Sequence, residues 1–297
     1  MSKLSRLLLR RNWLLAISLL VLFELLYSEQ VTADDQRLRL NPNSMHWAFS
    51  AFFGTGWYEV SNSESVFILR APMQQTWRTS SLVEGQRSLG IEFHYPVTLG
   101  LHQFGSFNDF ADVDNFGSVA FTPGIEVEIP VTEKWYLRPV VHVGWGKETN
   151  GGDSAWIYYW GIKSRFTPGK GSLDWSVLNA LYYAGYHGES GDSGSLTMAM
   201  AGAEFRHPLQ AGLGSYEELQ LNWHLTYSWL FDKAEFSLRN GFSQTVNDQW
   251  ELGFALAPRG RKFRIGFMSF EQLGLSFHTS SSGDYRAVSI NVSSPFY

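Results

Sequence analysis

Odd positions from Leu89 to Leu101 are all apolar, while the even positions around them read Ser88, Gly90, Glu92, His94, Pro96, Thr98, Gly100 and His102. Successive side chains of a β-strand point to opposite faces. Residues 88–102 therefore predict a strand with one wholly apolar face and one polar or small face. The same split recurs in 118–131, where Val119, Phe121, Pro123, Ile125, Val127, Ile129 and Val131 oppose Ser118, Ala120, Thr122, Gly124, Glu126 and Glu128. In 218–231, Leu219, Leu221, Trp223, Leu225, Tyr227, Trp229 and Phe231 oppose Glu218, Gln220, Asn222, His224, Thr226 and Ser228. Globular strands average about 5–6 residues and tilted membrane strands need about 9–11. Alternation sustained this long favours strands that meet lipid on one side and a lumen on the other.

Further candidates are 65–74, 135–148, 154–167, 172–187, 194–208, 233–244, 249–258, 261–278 and 285–297. The total is twelve, and single-chain bacterial barrels use even numbers. The fold class predicted is all-β: a closed antiparallel transmembrane β-barrel, most simply of 12 strands. The faces of 65–74 and 172–187 separate poorly. Glu271 would face lipid if 261–278 were one strand, so splitting that segment near 269–271 and dropping 65–74 is an alternative route to twelve. Pro123 removes a ladder hydrogen bond and predicts a local bulge. The stretches 131–134, 167–171, 231–234 and 258–262 read as short turns, but all four cannot lie on one side in the simple scheme, so two registers stay open.

Composition agrees with a barrel. Twelve Trp, thirteen Tyr and twenty-two Phe suit aromatic girdles at two membrane interfaces. There is no Cys, which excludes disulfides and thiol catalysis. A net charge of −5 gives no footprint for nucleic acid. Lys3, Arg6, Arg10 and Arg11 precede the apolar run Trp13–Phe23, and Val31-Thr32-Ala33 precede Asp34. That is the layout of a cleaved secretory signal peptide over 1–33; Glu24 and Glu29 interrupt it too early for the roughly 20 apolar residues of a spanning helix. Residues 34–64 form an N-terminal segment and 65–297 the barrel. Within the former, Ser44–Phe53 reads either as a short helix plugging the lumen or as an extra strand.

The terminal "SINVSSPFY" resembles the assembly signal of outer-membrane barrels, with Val288, Ile290 and Val292 alternating before the aromatics Phe296 and Tyr297. "WYLRPVVHVGWG" at 135–146 and "WIYYWGIKSRF" at 156–166 resemble successive strands of autotransporter β-domains. The mature chain is similar to solitary outer-membrane autotransporter-like β-barrel domains, a family without a passenger. The resemblance implies outer-membrane localisation, with membrane lipids and, during insertion, the barrel-assembly machinery as partners. It implies no settled activity.

Candidate lumen residues follow from the polar faces: Glu92, His94, Glu126, Glu128, Arg138, His142, Glu218, His224, Arg239 and Arg264. Glu126 and Glu128 share a face and read as part of a lumen charge network, with Arg138 and His142 on the next strand. The eight His show no HxH or HxxxH spacing for a metal. "GKETNGGDS" at 146–154 distantly resembles a stretch of outer-membrane phospholipase A, but Lys147 stands where that motif's His would align, and Gly, Asn and Asp between strands read as a turn. "GESGDSG" at 188–194 lacks EF-hand spacing and reads as a loop. Trp145, Trp156, Trp160, Trp223 and Trp229 read as girdle residues rather than sugar platforms. No cofactor, metal or catalytic constellation is expected, and the chain reads as a non-enzyme. A structural or interaction barrel with an occluded lumen is favoured over a small pore and over a lipid-modifying enzyme.

Overall fold

The structure, a computed structural model, describes residues 38–39, 54–60, 64–78, 89–102, 116–149, 153–168, 174–191, 193–209, 212, 216, 218–237, 243–259, 262–265 and 268–293. The signal peptide, Ser44–Phe53, Arg239, Phe296 and Tyr297 lie outside the described residues. Every described element is a strand: β1 (Leu38–Arg39), β2 (Gly56–Val60), β3 (Glu64–Ala71), β4 (Gln74–Arg78), β5 (Gly90–His94), β6 (Val97–His102), β7 (Phe116–Phe121), β8 (Gly124–Thr132), β9 (Trp135–Glu148), β10 (Ser154–Phe166), β11 (Asp174–Gly188), β12 (Ser193–Leu209), β13 (Leu219–Ser237), β14 (Ser243–Pro258), β15 (Phe263–Ile265), β16 (Met268–Phe270), β17 (Leu273–Thr279) and β18 (Tyr285–Asn291).

Three pairs of these, β3–β4, β5–β6 and β7–β8, are single staves interrupted in the middle. Pro72 breaks the first, Pro96 the second and Pro123 the third. The three breaks lie at one level, because Ala71 pairs with Val97 and Val97 with Phe121 above them, and Gln74 pairs with His94 and His94 with Gly124 below. A proline supplies no N–H to the ladder, and across this line only single bonds remain, such as Tyr95 N to Met73 O at 2.8 Å and Val143 N to Pro123 O at 3.1 Å. The bulge expected at Pro123 is thus one point on a seam crossing three staves.

Counted as staves, the antiparallel sheet has twelve and closes on itself. β18 pairs with β2 from Tyr285–Val60 to Ser289–Gly56, and β7 and β8 both pair with β9. Closure removes the free edge that an open sheet would expose. The twelve are not the twelve expected from the sequence. Gly56–Val60 is a stave, whereas 233–244 holds only the end of β13 and the start of β14. The supposed turn at 231–234 lies inside β13, at a register shift between Trp229 and Ala234. There Asp232 Oδ2 accepts the backbone N–H of Thr197 on β12 at 2.9 Å, so the wall stays tied through the irregularity. With that turn gone, the turn at Glu133–Lys134 and the connections after β10 and β14 fall at the same end as the finish of β18, and the register conflict disappears.

The segment 261–278 splits, and 65–74 is nonetheless a stave. β15 and β16 pair only with each other, and β17 alone joins the barrel. Glu271 sits at the bend between them and pairs with Lys262 at 3.2 Å, so it does not meet lipid from a strand. The faces follow the alternation: on β9, Val141 is 49% exposed, His142 2% and Val143 52%. Large apolar side chains are exposed outside on nearly every stave, while the buried face carries Glu126, His142, His224, Glu204, Thr98 and Thr226. A protein in water places its apolar side chains the other way round.

Candidate functional site

The inner wall holds two chemically distinct sectors. The first spans β5, β8, β9 and β10. Glu92 faces Glu126 directly across the β5–β8 ladder, and Arg138 faces Lys163 across β9–β10. Each like-charged pair alone would be repulsive. Placed side by side, they neutralise one another. Arg138 lies 2.8 Å from Glu126, 3.2 Å from Glu92 and 3.6 Å from Glu128, and Lys163 Nζ reaches the second oxygen of Glu126 at 2.5 Å. A further group follows along the wall, where Arg165 and Arg206 share Glu204 at 2.9 and 2.6 Å. Charges buried in this way are retained only when paired.

Above this sector two non-adjacent staves are tied together. Arg70, on β3, donates to the hydroxyl of Tyr159, on β10, at 3.0 Å. The staves carrying them are separated by β6, β7 and β9, so this bond crosses the interior. Tyr159 stacks on His142 at 4.1 Å, and His94 meets His142 edge-on at 5.2 Å. His142 Nδ1 lies 2.8 Å from the Thr122 carbonyl. Its ring occupies the space over Gly124, where a Cβ would come within 2.4 Å of the imidazole.

The second sector, β13, β14, β17 and β18, carries amides, hydroxyls and imidazoles. His224 Nε2 lies 3.0 Å from Glu251 Oε1. Asn222 donates to Gln272 at 2.8 Å, and Gln272 to Asn291 at 2.7 Å. His278 stands between two partners: its Nε2 is 2.7 Å from Ser289 Oγ, and its Nδ1 is 2.7 Å from the side-chain amide of Gln249. Glu251 faces His278 directly across the β14–β17 ladder.

Of the residues expected inside, the fold brings Glu92, Glu126, Glu128 and Arg138 into one cluster, sets His94 and His142 beside it, and places His224 in the other sector. Two expectations are corrected. Glu218 is exposed and pairs with Arg259 at 3.2 Å, because β13 begins only at Leu219 and the inward set starts at Gln220. Arg264 is exposed on the β15–β16 hairpin, which is not part of the barrel wall. Val288 and Ile290 are exposed on the outer face and Val292 is half-buried. The motif at 146–154 joins β9 to β10, with Glu148 N bonded to Asp153 O at 2.8 Å. Trp145 and Trp156 lie outside towards one end of their staves, Trp135, Trp175 and Trp223 towards the other, and Trp160, Trp229 and Trp250 near the middle of theirs.

Arg70, Lys163, Arg165, Glu204, Glu251, Gln249, His278 and Ser289 were not anticipated. For Lys163 and Arg165 the signal was available: both share the parity of Ala155, Ile157 and Tyr159, opposite Trp156, Trp160 and Ile162. Aromatic residues on both faces of β10 hid it.

No protein-family model and no curated protein matches the sequence. Among solved structures, the chain is similar to the β-domain of the Bordetella autotransporter BrkA, at 14% identity and a TM-score of 0.44, over 80% of this chain and 96% of that one. It is also similar to the transport unit of the autotransporter AIDA-I from Escherichia coli, at 10% identity and a TM-score of 0.44, over 86% of this chain and 100% of that one. The closed twelve-stave barrel itself rests on the strand pairing of this chain.

Proposed function

We propose that this chain is an integral outer-membrane β-barrel of the autotransporter-like kind, exported with a cleaved signal peptide, whose occluded lumen suits a structural or interaction role. The observation that carries the membrane reading is the inverted face pattern on a closed sheet: exposed Val, Leu, Ile, Phe and Trp outside, ionic and hydrogen-bonding groups inside. Lipid requires this arrangement, because it offers no partner for an open backbone edge or a polar side chain. Occlusion is supported by the bond from Arg70 to Tyr159 across the interior and by the paired charges beside it. An open pore would leave such charges hydrated along a continuous path.

Membrane fractionation and gel mobility before and after boiling test the first part. A heat-modifiable band in the outer-membrane fraction is expected, and recovery as a soluble periplasmic protein would sink the reading. Planar bilayers test the second: the purified protein should conduct little, and steady ion-selective channels would favour a pore.

A further inference from the structure

We propose that Ser289, His278 and Gln249 form a nucleophilic site on the inner wall, able to cleave acyl esters that enter the barrel. This goes beyond the membrane role, and nothing in that role requires it. Three adjacent staves contribute one residue each: Ser289 from β18, His278 from β17 and Gln249 from β14. Ser289 Oγ and His278 Nε2 are 2.7 Å apart, and so are His278 Nδ1 and the Gln249 amide. A serine hydroxyl is a poor nucleophile until a base within hydrogen-bond reach takes its proton, and the base needs a third group to hold its orientation and tautomer. The first distance puts the base within reach of the hydroxyl, and the second puts the Gln249 amide within reach of Nδ1. As placed, Gln249 Nε2 donates to Nδ1; a half-turn of the amide exchanges its nitrogen and oxygen, so that Oε1 accepts Nδ1–H and His278 Nε2 is free to accept the hydroxyl proton.

The surroundings favour the same chemistry. Glu251 stands opposite His278 across the ladder, so a carboxylate faces the imidazolium that forms during reaction. His278 is the penultimate residue of β17, next to the turn at Ser281–Gly283, so the site lies close to one mouth of the barrel. Ser289 itself is 7% exposed. The charged sector has no comparable arrangement, since its carboxylates and cations are committed to each other.

The reaction balances without any added group. Ser289 Oγ attacks the ester carbonyl carbon as its proton passes to His278 Nε2. The tetrahedral adduct collapses, the C–O bond to the alcohol breaks, and the alkoxide leaves with that proton. Water then attacks the acyl-serine, gives its proton to Nε2, and the proton returns to Ser289 Oγ as the acid departs. The net change is ester plus water to acid plus alcohol. The substrate class is a slender acyl ester arriving from the Ser281–Gly283 mouth.

The test uses the full-length folded barrel in detergent micelles with a fluorophosphonate probe and a p-nitrophenyl acyl ester. Folding of every variant is checked by heat-modifiable mobility. The expected result is a probe adduct on the peptide carrying Ser289, found by mass spectrometry and absent in Ser289→Ala. Labelling in His278→Ala should slow at least 100-fold. Gln249 acts through the imidazole, so Gln249→Ala should slow labelling about tenfold and Gln249→Glu should restore it, because a carboxylate also accepts Nδ1–H. A folded, heat-modifiable barrel that leaves Ser289 unlabelled, or labels it equally in His278→Ala, overturns the proposal and leaves the membrane reading untouched.

Discussion

Replacing Arg138 by Met probes whether the lumen is dry at the charged sector. The guanidinium serves three carboxylates, Glu92, Glu126 and Glu128, and Lys163 is the other cation at Glu126. In the variant one cation faces three acids, two of which, Glu92 and Glu126, are opposite each other in the ladder. Removing one partner of a buried ion pair costs about 3–5 kcal/mol, chiefly because the remaining charge stays desolvated. With a urea slope of about 2–3 kcal/mol per molar, the unfolding midpoint should fall by about 1–2.5 M. The assay is urea unfolding of barrels folded into lipid vesicles, read by heat-modifiable mobility. A triple variant, Arg138→Met with Glu92→Gln and Glu128→Gln, leaves Glu126 paired with Lys163 and should recover most of the loss. If Arg138→Met costs less than about 1 kcal/mol, the range of exposed pairs, the carboxylates are hydrated, and the occluded lumen is refuted at its strongest point.

Other expectations follow from the same wall. Leu225→Arg, at an exposed outer position of β13, should destabilise the barrel by about 2–4 kcal/mol if that face meets the hydrocarbon core; vesicle unfolding measures it, and a neutral result would count against lipid contact there. Gly144→Ala should disturb folding more than Gly124→Ala. A Cβ at 144 would stand 2.0 Å from the Phe121 carbonyl oxygen, whereas at 124 it meets the His142 ring at 2.4 Å, and a ring can turn where backbone cannot; the yield of heat-modifiable band compares them. Replacing Phe296 and Tyr297 by Asp should block assembly and expose the chain to periplasmic proteases, and normal membrane levels of that variant would argue against an assembly signal at this end.

How far the fold was legible depended on the length of unbroken alternation. β9 and β10 could be bounded almost to the residue, because thirteen or fourteen positions keep one parity. β2 was missed because five residues, Gly56–Val60, are too few to establish a period, and it becomes a stave only through pairing with β3 and β18. At 231–234, Asp232 and Lys233 look like turn residues, yet the chain stays in the ladder because the bulge lets Asp232 bind Thr197. Parity likewise placed Glu92, Glu126 and Arg138 on inner faces. It could not say that Lys163 completes their cluster, since that depends on the register between β9 and β10. Ser289, His278 and Gln249 carry no joint signature in the chain, being eleven and twenty-nine residues apart. Only the registers of β14, β17 and β18 bring them together.

The division of the wall bears on how the two proposals can be separated. Full charges of both signs gather on β5, β8, β9, β10 and β12, where each depends on its neighbour, so substitutions there act as a unit and their effects should not add. β13, β14, β17 and β18 hold their interior with amides, hydroxyls and imidazoles around Glu251. Neutral hydrogen bonds cost less to lose than ion pairs, at about 0.5–1.5 kcal/mol net each. Ser289→Ala or Gln249→Ala should therefore leave a folded barrel in which reactivity can be read, whereas Arg138→Met changes stability first. Chemistry that must exchange protons and partners is better placed among groups whose removal the fold survives, and the imidazole of His278 lies in that sector.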